Sequence, residues 1–295
     1  MSKSTHISVL GDEVLDWLNP RPGQVLVDGT LGGGGHARLL ADRAGQEVRI
    51  LGLDRDPAVV AALSRSPDER IEAIHANYAD LAQVLEARQI PAIDGLLLDL
   101  GLSSDQLADD ARGFSFNATG PLDLRFDPTE GEPAWRLLER LDERALADLI
   151  FQYGEERFSR RIARKIVQVR RLRPIRTSPE LAELVRSCVP RSRGHRIDSA
   201  TRTFQALRIA VNGELQFLQQ ALGDLPDLLR PGGRLVIISF HSLEDRMVKR
   251  AFREDPRLHN LTRKPIRPSE SECAANPRSR SAKLRAAERR DSPPE

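Results

Sequence analysis

Short continuous apolar runs alternate with amphipathic stretches along the first hundred residues. Four runs, QVLVDGT, VRILGLDRD, IEAIHANYAD and IDGLLLDLG, predict buried strands that end at Asp28, at Asp54, near His75 and at Asp99. The stretches ISVLGDEVLDWL and HARLLADRA have the three-to-four-residue apolar spacing of helices. Continuous apolar strands separated by helices predict an α/β fold with a parallel sheet that is covered on both faces.

The pattern changes over residues 105–200, which are rich in charge and contain no convincing buried strand. Amphipathic helices are predicted over RFSRRIARKIVQVRR and, as one continuous helix, over TRTFQALRIAVNGELQFLQQAL. A turn and a buried strand, LLRPGGRLVIISF, then precede a helix in HSLEDRMVKRAF, where Ser242 and Asp245 predict a capping box. We therefore predict a sheet domain in two parts, 1–108 and 209–290, around a helical insertion at 109–208, with a disordered tail at 291–295.

Charge is distributed unevenly along the chain, although the formal net charge is only +2. Residues 1–110 contain nine Lys and Arg against 18 Asp and Glu, whereas residues 157–208 contain 15 against three and residues 263–290 nine against three. Most charged runs are simply solvated helix surfaces. The arginine excess here favours a polyanionic partner, and nucleic acid in particular.

The remaining composition narrows the class of protein. No apolar run is long enough to span a membrane, and the first residues lack the apolar core of a signal peptide. The two cysteines, Cys188 and Cys273, form no CxxC motif, so we expect neither a disulfide framework nor a cysteine zinc site. Because the cysteines form no such framework, the expected location is the cytoplasm. The six histidines are scattered, so no metal site is predicted.

A glycine-rich loop, VDGTLGGGGH, follows the first predicted strand and precedes a helix. In open parallel sheets, ligands bind outside the carboxyl ends of the strands. Asp54 lies 22 residues after Gly32, the spacing at which a carboxylate binds ribose hydroxyls in nucleotide-binding sheets. The loop with Asp54 therefore indicates a nucleotide-like ligand, and the alternative is a tight turn next to an ordinary surface aspartate.

The kind of ligand follows less directly. A P-loop is excluded because no Gly-Lys-Ser/Thr follows the glycines. A dinucleotide stays open, but Asp28 precedes the glycines, and its negative charge suits a cationic group better than a pyrophosphate. S-adenosylmethionine, which carries a sulfonium and an ammonium and no phosphate, fits an acidic pocket with a ribose-binding carboxylate.

Eight ordered motifs carry a resemblance over most of the chain. DGTLGGGGHA, DLGLSSDQL, RGFSF, GPLDLRFD, YGEERFSRRIA, ATRTFQALRIAVN, GGRLVIISFHSLEDR and RSAKLRAAER resemble those of the MraW-type methyltransferases, from His6 to about Arg289. The resemblance implies a class I (Rossmann-like) methyltransferase sheet with an inserted helical domain. It also implies S-adenosylmethionine-dependent methylation of N4 of a cytosine in small-subunit (16S) ribosomal RNA, with the RNA or the small ribosomal subunit as partner.

The resemblance also assigns cofactor-binding residues. It implies that the cofactor loop is formed by Gly34, Gly35 and His36, and that Asp54 binds the ribose. It places Tyr78 near the adenine, and Asp99 and Gln106 at the methionine side. Each has a structural alternative: His36 starts a helix, Tyr78 is a core aromatic, or Gln106 is a surface loop residue.

Methylation of an exocyclic amine needs a nearby acceptor, because the nitrogen lone pair is conjugated with the ring. DNA amino-methyltransferases place a polar-Pro-Pro-aromatic motif after the fourth strand, where this chain has DLGLSS, without proline or aromatic residues. Our catalytic candidates are Asp99, Ser103, Ser104 and His241, although the serines are also typical of a turn or a helix cap. Candidates for RNA contacts lie in motif-bearing stretches, namely Arg112, Arg125, Arg202 and Arg208.

Two other functions stay open at this point. A nicotinamide-dependent oxidoreductase would need only the sheet and the glycine loop, but it leaves the basic insertion unexplained. A non-catalytic RNA-binding or assembly factor would explain the basic insertion but not the glycine loop with Asp54 and Asp99.

Overall fold

A computed structural model describes residues 8–65, 68–190 and 198–291, except for the side chain of Ser104. The chain divides into two compact units, the first formed by Met1–Gly101 with Leu215–Glu295 and the second by Leu102–Glu214. The predicted disordered tail at 291–295 lies, apart from Asp291, outside the described residues.

The first unit is built on a seven-stranded sheet. Its strands are β1 (Val25–Asp28), β2 (Arg49–Asp54), β3 (Ile71–His75), β4 (Ile93–Asp99), β5 (Leu229–Ser239), β6 (Leu258–Asn260) and β7 (Lys283–Arg289). They are ordered β3-β2-β1-β4-β5-β7-β6. Strands β1 to β5 are parallel to one another, and β7 is antiparallel to both β5 and β6. The four strands predicted in the first hundred residues are confirmed, as is the Rossmann-like sheet.

Helices cover both faces of this sheet. They are α1 (Gly11–Leu18), α2 (Gly35–Ala44), α3 (Pro57–Ser64), α4 (Leu81–Ala87), α11 (Glu214–Leu228), α12 (Ser242–Glu254) and α13 (Glu270–Ala275). Alternate residues of each strand enter opposite cores. On β4, Leu96 and Leu98 pack with α4, α11 and α12, whereas Leu97 packs with α1 and α2. This two-sided burial explains why the strands read as continuous apolar runs.

The second unit is helical and has its own apolar core. Its helices are α5 (Ser104–Ala108), α6 (Ala134–Arg140), α7 (Glu143–Gly154), α8 (Ser159–Arg170), α9 (Ser178–Cys188) and α10 (Thr201–Asn212). Its described residues contain no strand, and only an isolated bridge joins Pro121 to Thr177. The described residues also contain three short 3₁₀ helices, at Tyr78–Asp80, Asp110–Arg112 and Pro277–Ser281.

The prediction of one continuous helix across residues 201–222 is wrong. The structure has two helices, α10 and α11, because Gly213 adopts φ +62° and ends the first. A left-handed residue is a frequent helix terminator, and glycine adopts it without steric cost. Leu207 belongs to the core of the second unit, and Leu218 and Leu222 belong to that of the first.

No helix in the described part of the chain is long and apolar enough to cross a membrane.

Candidate functional site

Three carboxylates meet at one edge of the sheet, at the carboxyl ends of adjacent strands. Asp54, Asp28 and Asp99 are the last residues of β2, β1 and β4, which lie side by side in that order. Thr30 joins two of them, because its backbone N–H donates to Asp28 Oδ1 (3.2 Å) and its Oγ1 accepts from the Asp99 N–H (2.6 Å). We call Asp28, Asp54 and Asp99 the acidic edge.

Two carboxylate oxygens of the acidic edge are buried without a hydrogen-bond partner in the described structure, Asp28 Oδ2 and Asp99 Oδ1. Burial raises the pKa of Asp28 to about 6, opposed by the nearby His36 and the Thr30 N–H. Burial also raises the pKa of Asp99 to about 7, with a further contribution from the negative charge of Glu244. Buried carboxylate oxygens normally have partners, so this arrangement fits a ligand that brings positive charge and hydrogen-bond donors.

His36 lies in the first turn of α2 and faces the acidic edge. Its Nε2 bonds to the carbonyl oxygen of Val9 (2.9 Å), and since that oxygen can only accept, Nε2 carries the hydrogen. Its Nδ1 lies 3.6 Å from Asp99 Oδ2.

Asp54 holds the glycine loop in place. Its Oδ2 accepts from the N–H of Gly32 (2.8 Å), and its Oδ1 accepts from the N–H of Asp56 (2.8 Å). Gly34, at φ +73°, then precedes the first turn of α2. Asp54 therefore has a structural role at this edge, and its predicted ribose contact stays a prediction.

The residues around Gly29 leave no room for a side chain at this position. A Cβ at this position would lie 2.5 Å from Leu98 Cδ2, which is too close for a real contact, and 3.1 Å from Tyr78 Cβ, which is a tight one. Tyr78 itself is half-buried and packs against the core on the α4 side of the sheet. The structure thus places Tyr78 beside the loop that follows β1, and its contact with adenine stays a prediction.

Ser103 and Gln106 form a capping box at the start of α5, in the second unit. Ser103 Oγ accepts from the Gln106 N–H (3.1 Å), and Gln106 Oε1 accepts from the Ser103 N–H (3.1 Å). These bonds use the atoms that we expected to contact the substrate or cofactor. Ser104 is the first residue of α5, and its side chain is outside the described structure. The roles of these three residues stay predictions.

The capping box predicted for Ser242 and Asp245 is wrong. His241 is the N-cap of α12, and Glu244 is its capping-box partner, with Glu244 Oε2 accepting from the His241 N–H (3.4 Å). The helix begins one residue earlier than predicted, which moves the box by one position. The Asp245 carboxylate pairs instead with Lys283 (2.9 Å) and Arg285 (2.7 Å) of β7.

His241 is therefore held by its own helix. Its Nδ1 accepts from the Glu244 N–H (3.4 Å), and its Nε2 lies 3.1 Å from Glu244 Oε1. Only 8% of the His241 side chain is exposed. Its predicted catalytic role is not tested by this geometry, which supplies a structural role.

Two of the predicted RNA-binding arginines, Arg112 and Arg125, form hydrogen bonds within the second unit. Arg112 is buried, and its Nη2 donates to the carbonyl oxygens of Arg125 (3.1 Å) and Phe126 (2.5 Å). Arg125 forms a two-pronged pair with Asp123 through Nε (2.8 Å) and Nη2 (2.7 Å). Both guanidinium groups are thus engaged within the protein, and their RNA contacts stay predictions.

The other two predicted arginines differ from each other. Arg208 forms a two-pronged pair with Glu214, with both distances 2.8 Å and both side chains largely buried. Arg202 is exposed, with a single long bond to the carbonyl oxygen of Glu155 (3.4 Å). Its charge is therefore available at the surface of the second unit.

Sequence reasoning missed a basic helix face. The inner side of α8 packs Ile162 and Ile166 into the core, and the outer side exposes Arg160, Arg161 and Lys165, which we call the α8 basic face. These three side chains form no ion pair within the described residues. The charge count over 157–208 gave the signal, but the motif-based choice selected arginines that the fold uses internally.

Comparison with known proteins now identifies the family. Residues 3–290 match the MraW methylase family.

The chain belongs to the MraW methylase family.

Relatives of this MraW methylase include curated proteins named ribosomal RNA small subunit methyltransferase H. The one from Rhodopirellula baltica is 51% identical over 300 residues, which cover 98% of this chain and 92% of the relative. The one from Thermomicrobium roseum is 49% identical over 307 residues, covering 97% and 94%. The one from Synechococcus elongatus is 51% identical over 288 residues, covering 96% and 94%. The resemblance drawn from the motifs is confirmed.

Proposed function

We propose that this protein transfers a methyl group from S-adenosylmethionine to N4 of a cytosine in small-subunit ribosomal RNA. Membership of a methylase family and the names of the curated relatives support the reaction and the RNA. The observation that carries the proposal is the acidic edge, where Asp28 Oδ2 and Asp99 Oδ1 are buried without partners. The same family membership makes a nicotinamide-dependent oxidoreductase the weaker alternative.

The residues present fit S-adenosylmethionine. When bound, this cofactor supplies a methyl group made electrophilic by a sulfonium. Asp28 and Asp99 provide buried negative charge for the sulfonium and ammonium, and neither would suit a phosphate. Asp54 is the proposed ribose-binding residue, since two backbone N–H groups fix its carboxylate at the same edge of the sheet. Gly34, Gly35 and His36 start α2 at the same edge.

Asp99 is the strongest candidate for the acceptor that the amine needs. Its buried Oδ1 has no partner and can accept the N4–H of a cytosine, which orients the nitrogen lone pair away from the carboxylate. Burial raises the pKa of Asp99, which makes its carboxylate a stronger base for the proton that N4 releases as it is methylated. His36 lies next to this carboxylate, with its Nδ1 3.6 Å from Asp99 Oδ2.

The RNA is held in this proposal by basic surfaces of the helical unit, with the target base unstacked before it reacts. The α8 basic face and Arg202 supply exposed cationic side chains in the 157–208 segment. Replacing Arg160 and Lys165 by Gln should weaken RNA binding. It should also lower the slope of log Kd against log salt concentration by up to about 2. Arg250→Gln is the control, because Arg250 is exposed but already paired with Glu254 in α12. An unchanged salt dependence would move the RNA contacts away from α8.

The proposed function is tested by methyl transfer in vitro. Purified protein and labelled S-adenosylmethionine are incubated with ribosomal RNA, or with small subunits, from cells that lack the protein. We expect label in N4-methylcytidine with at least one of these substrates, which also decides between free RNA and the assembled subunit. RNA binding without transfer to either substrate would instead support an assembly factor. Activity on small-subunit RNA would agree with the cytoplasmic location predicted from the sequence.

A further inference from the structure

An aromatic ring lies beside the acidic edge on the strand next to β4. Phe240 directly follows β5, and Gly101 lies two residues after Asp99 at the end of β4. A Cβ on Gly101 would lie 3.0 Å from Phe240 Cδ2 and 3.1 Å from Cε2. The ring therefore packs directly against Gly101, and a methyl group at position 101 would push it by a few tenths of an ångström.

The position of this ring is fixed from both strands. The backbone N–H of Phe240 donates to Glu244 Oε2 (2.9 Å), and Glu244 is itself almost fully buried in the first turn of α12. The N–H of Leu100 donates to the carbonyl oxygen of Ile238 (2.9 Å), which joins the ends of β4 and β5. Phe240 is half-buried, so the ring packs on the core along one part and reaches solvent along another.

We propose that Phe240 is the surface on which the target base stacks during methyl transfer. The reaction needs the planar base to be held in a fixed position beside its acceptor. The segment DLGLSS after β4 contains no aromatic residue that could do this by stacking. The neighbouring strand supplies the ring instead, next to the strand whose last residue is Asp99. An unstacked base gains stacking on an aromatic side chain, and Asp99 then selects the edge that carries an amine.

A second aromatic at this edge has a different place. Tyr78 lies beside Gly29, after β1, where the loop leads into α2. Phe240 lies beside Gly101, after β4. Tyr78 and Phe240 thus lie at the ends of different strands. This agrees with Tyr78 near the adenine of the cofactor and Phe240 near the target base.

This inference rests on the proposed function, and its test compares two substitutions of one residue. Phe240→Leu keeps an apolar side chain and removes the ring, whereas Phe240→Tyr keeps the ring. We expect Phe240→Leu to lower kcat/KM for the RNA by about 10-fold to 100-fold, and Phe240→Tyr to stay within about threefold of the parent. The Kd for S-adenosylmethionine should not change in either variant.

Controls separate stacking from packing. Phe252→Leu removes a fully buried ring from α12 and should lower Tm while kcat/KM for the RNA, measured well below Tm, is retained. If Phe240→Leu does not fold, Gly101→Ala replaces it, because the added methyl displaces the ring without removing it. Equal kcat/KM for the parent and Phe240→Leu, or equal losses in the Leu and Tyr variants with weaker cofactor binding, would overturn the inference. A parent that transfers no methyl group to RNA would overturn the proposed function, and the inference with it.

Discussion

The affinity of this protein for S-adenosylmethionine should rise with pH between 5.5 and 7.5. Burial raises the pKa of Asp28 to about 6 and that of Asp99 to about 7, from an ordinary value of 3.8. A cationic ligand binds best when both carboxylates are ionised, so binding releases protons and is favoured as pH rises. The stability of the free protein changes in the opposite direction with pH. Raised carboxyl pKa values stabilise the fold at low pH, and this contribution is lost as pH rises through 6 and 7.

The size of the effect follows from the fraction of each carboxyl group that is ionised. At pH 5.5 about a quarter of the Asp28 groups and about 3% of the Asp99 groups are ionised, against nearly all and about three quarters at pH 7.5. If only the doubly ionised form binds, the affinity rises about 100-fold, or about 2.7 kcal/mol. Asp99→Asn leaves Asp28 as the titrating group and should reduce the rise to about fourfold.

Isothermal titration calorimetry at several pH values, in buffers of different ionisation enthalpy, measures both the affinity and the protons released. Asp12→Asn is the matched control, because Asp12 is an exposed residue of α1. A flat affinity across this range, or an Asp99→Asn variant with the parental pH dependence, would refute the assignment of the acidic edge to the cofactor's cationic groups.

Four further substitutions test individual roles. Asp54→Ala should weaken S-adenosylmethionine binding by about 2–3 kcal/mol in calorimetry, and unchanged affinity in a folded variant would reject the ribose role. Gly29→Ala should lower the free energy of unfolding by about 1–3 kcal/mol in urea titrations, because its Cβ overlaps Leu98; parental stability would contradict this packing. Arg208→Gln leaves the buried Glu214 carboxylate without its partner and should cost about 3 kcal/mol of stability. The exposed Arg202→Gln should cost less than about 0.5 kcal/mol, so equal losses would contradict the distinction between the two arginines.

The sheet and the acidic edge could be predicted because both follow from local patterns. Buried parallel strands are continuous apolar runs, and a polar residue at the end of each run marks the carboxyl edge of the sheet. Asp28, Asp54 and Asp99 were found in this way, and the structure places them on three adjacent strands. The spacing between Gly32 and Asp54 corresponds to a direct hydrogen bond that the sequence could not show.

The wrong predictions lie where contacts between residues far apart in the sequence decide the local structure. Apolar periodicity continues through Gly213, so the sequence pattern does not reveal that a left-handed residue divides the helix there. The box at α12 was misplaced because Asp245 is a plausible capping residue until Lys283 and Arg285 of β7 are seen to bind it. Similarly, Arg112 and Arg208 cannot be told from exposed arginines before their internal partners are known.

Nucleoside mass spectrometry of small-subunit ribosomal RNA is the most direct test of the proposed activity. RNA is compared from cells that contain this protein, cells that lack it, and cells that contain the Asp99→Asn variant. We predict N4-methylcytidine at one position in the first, its loss in the second, and strongly reduced methylation in the third. Unchanged N4-methylcytidine in cells lacking the protein would contradict the proposed reaction.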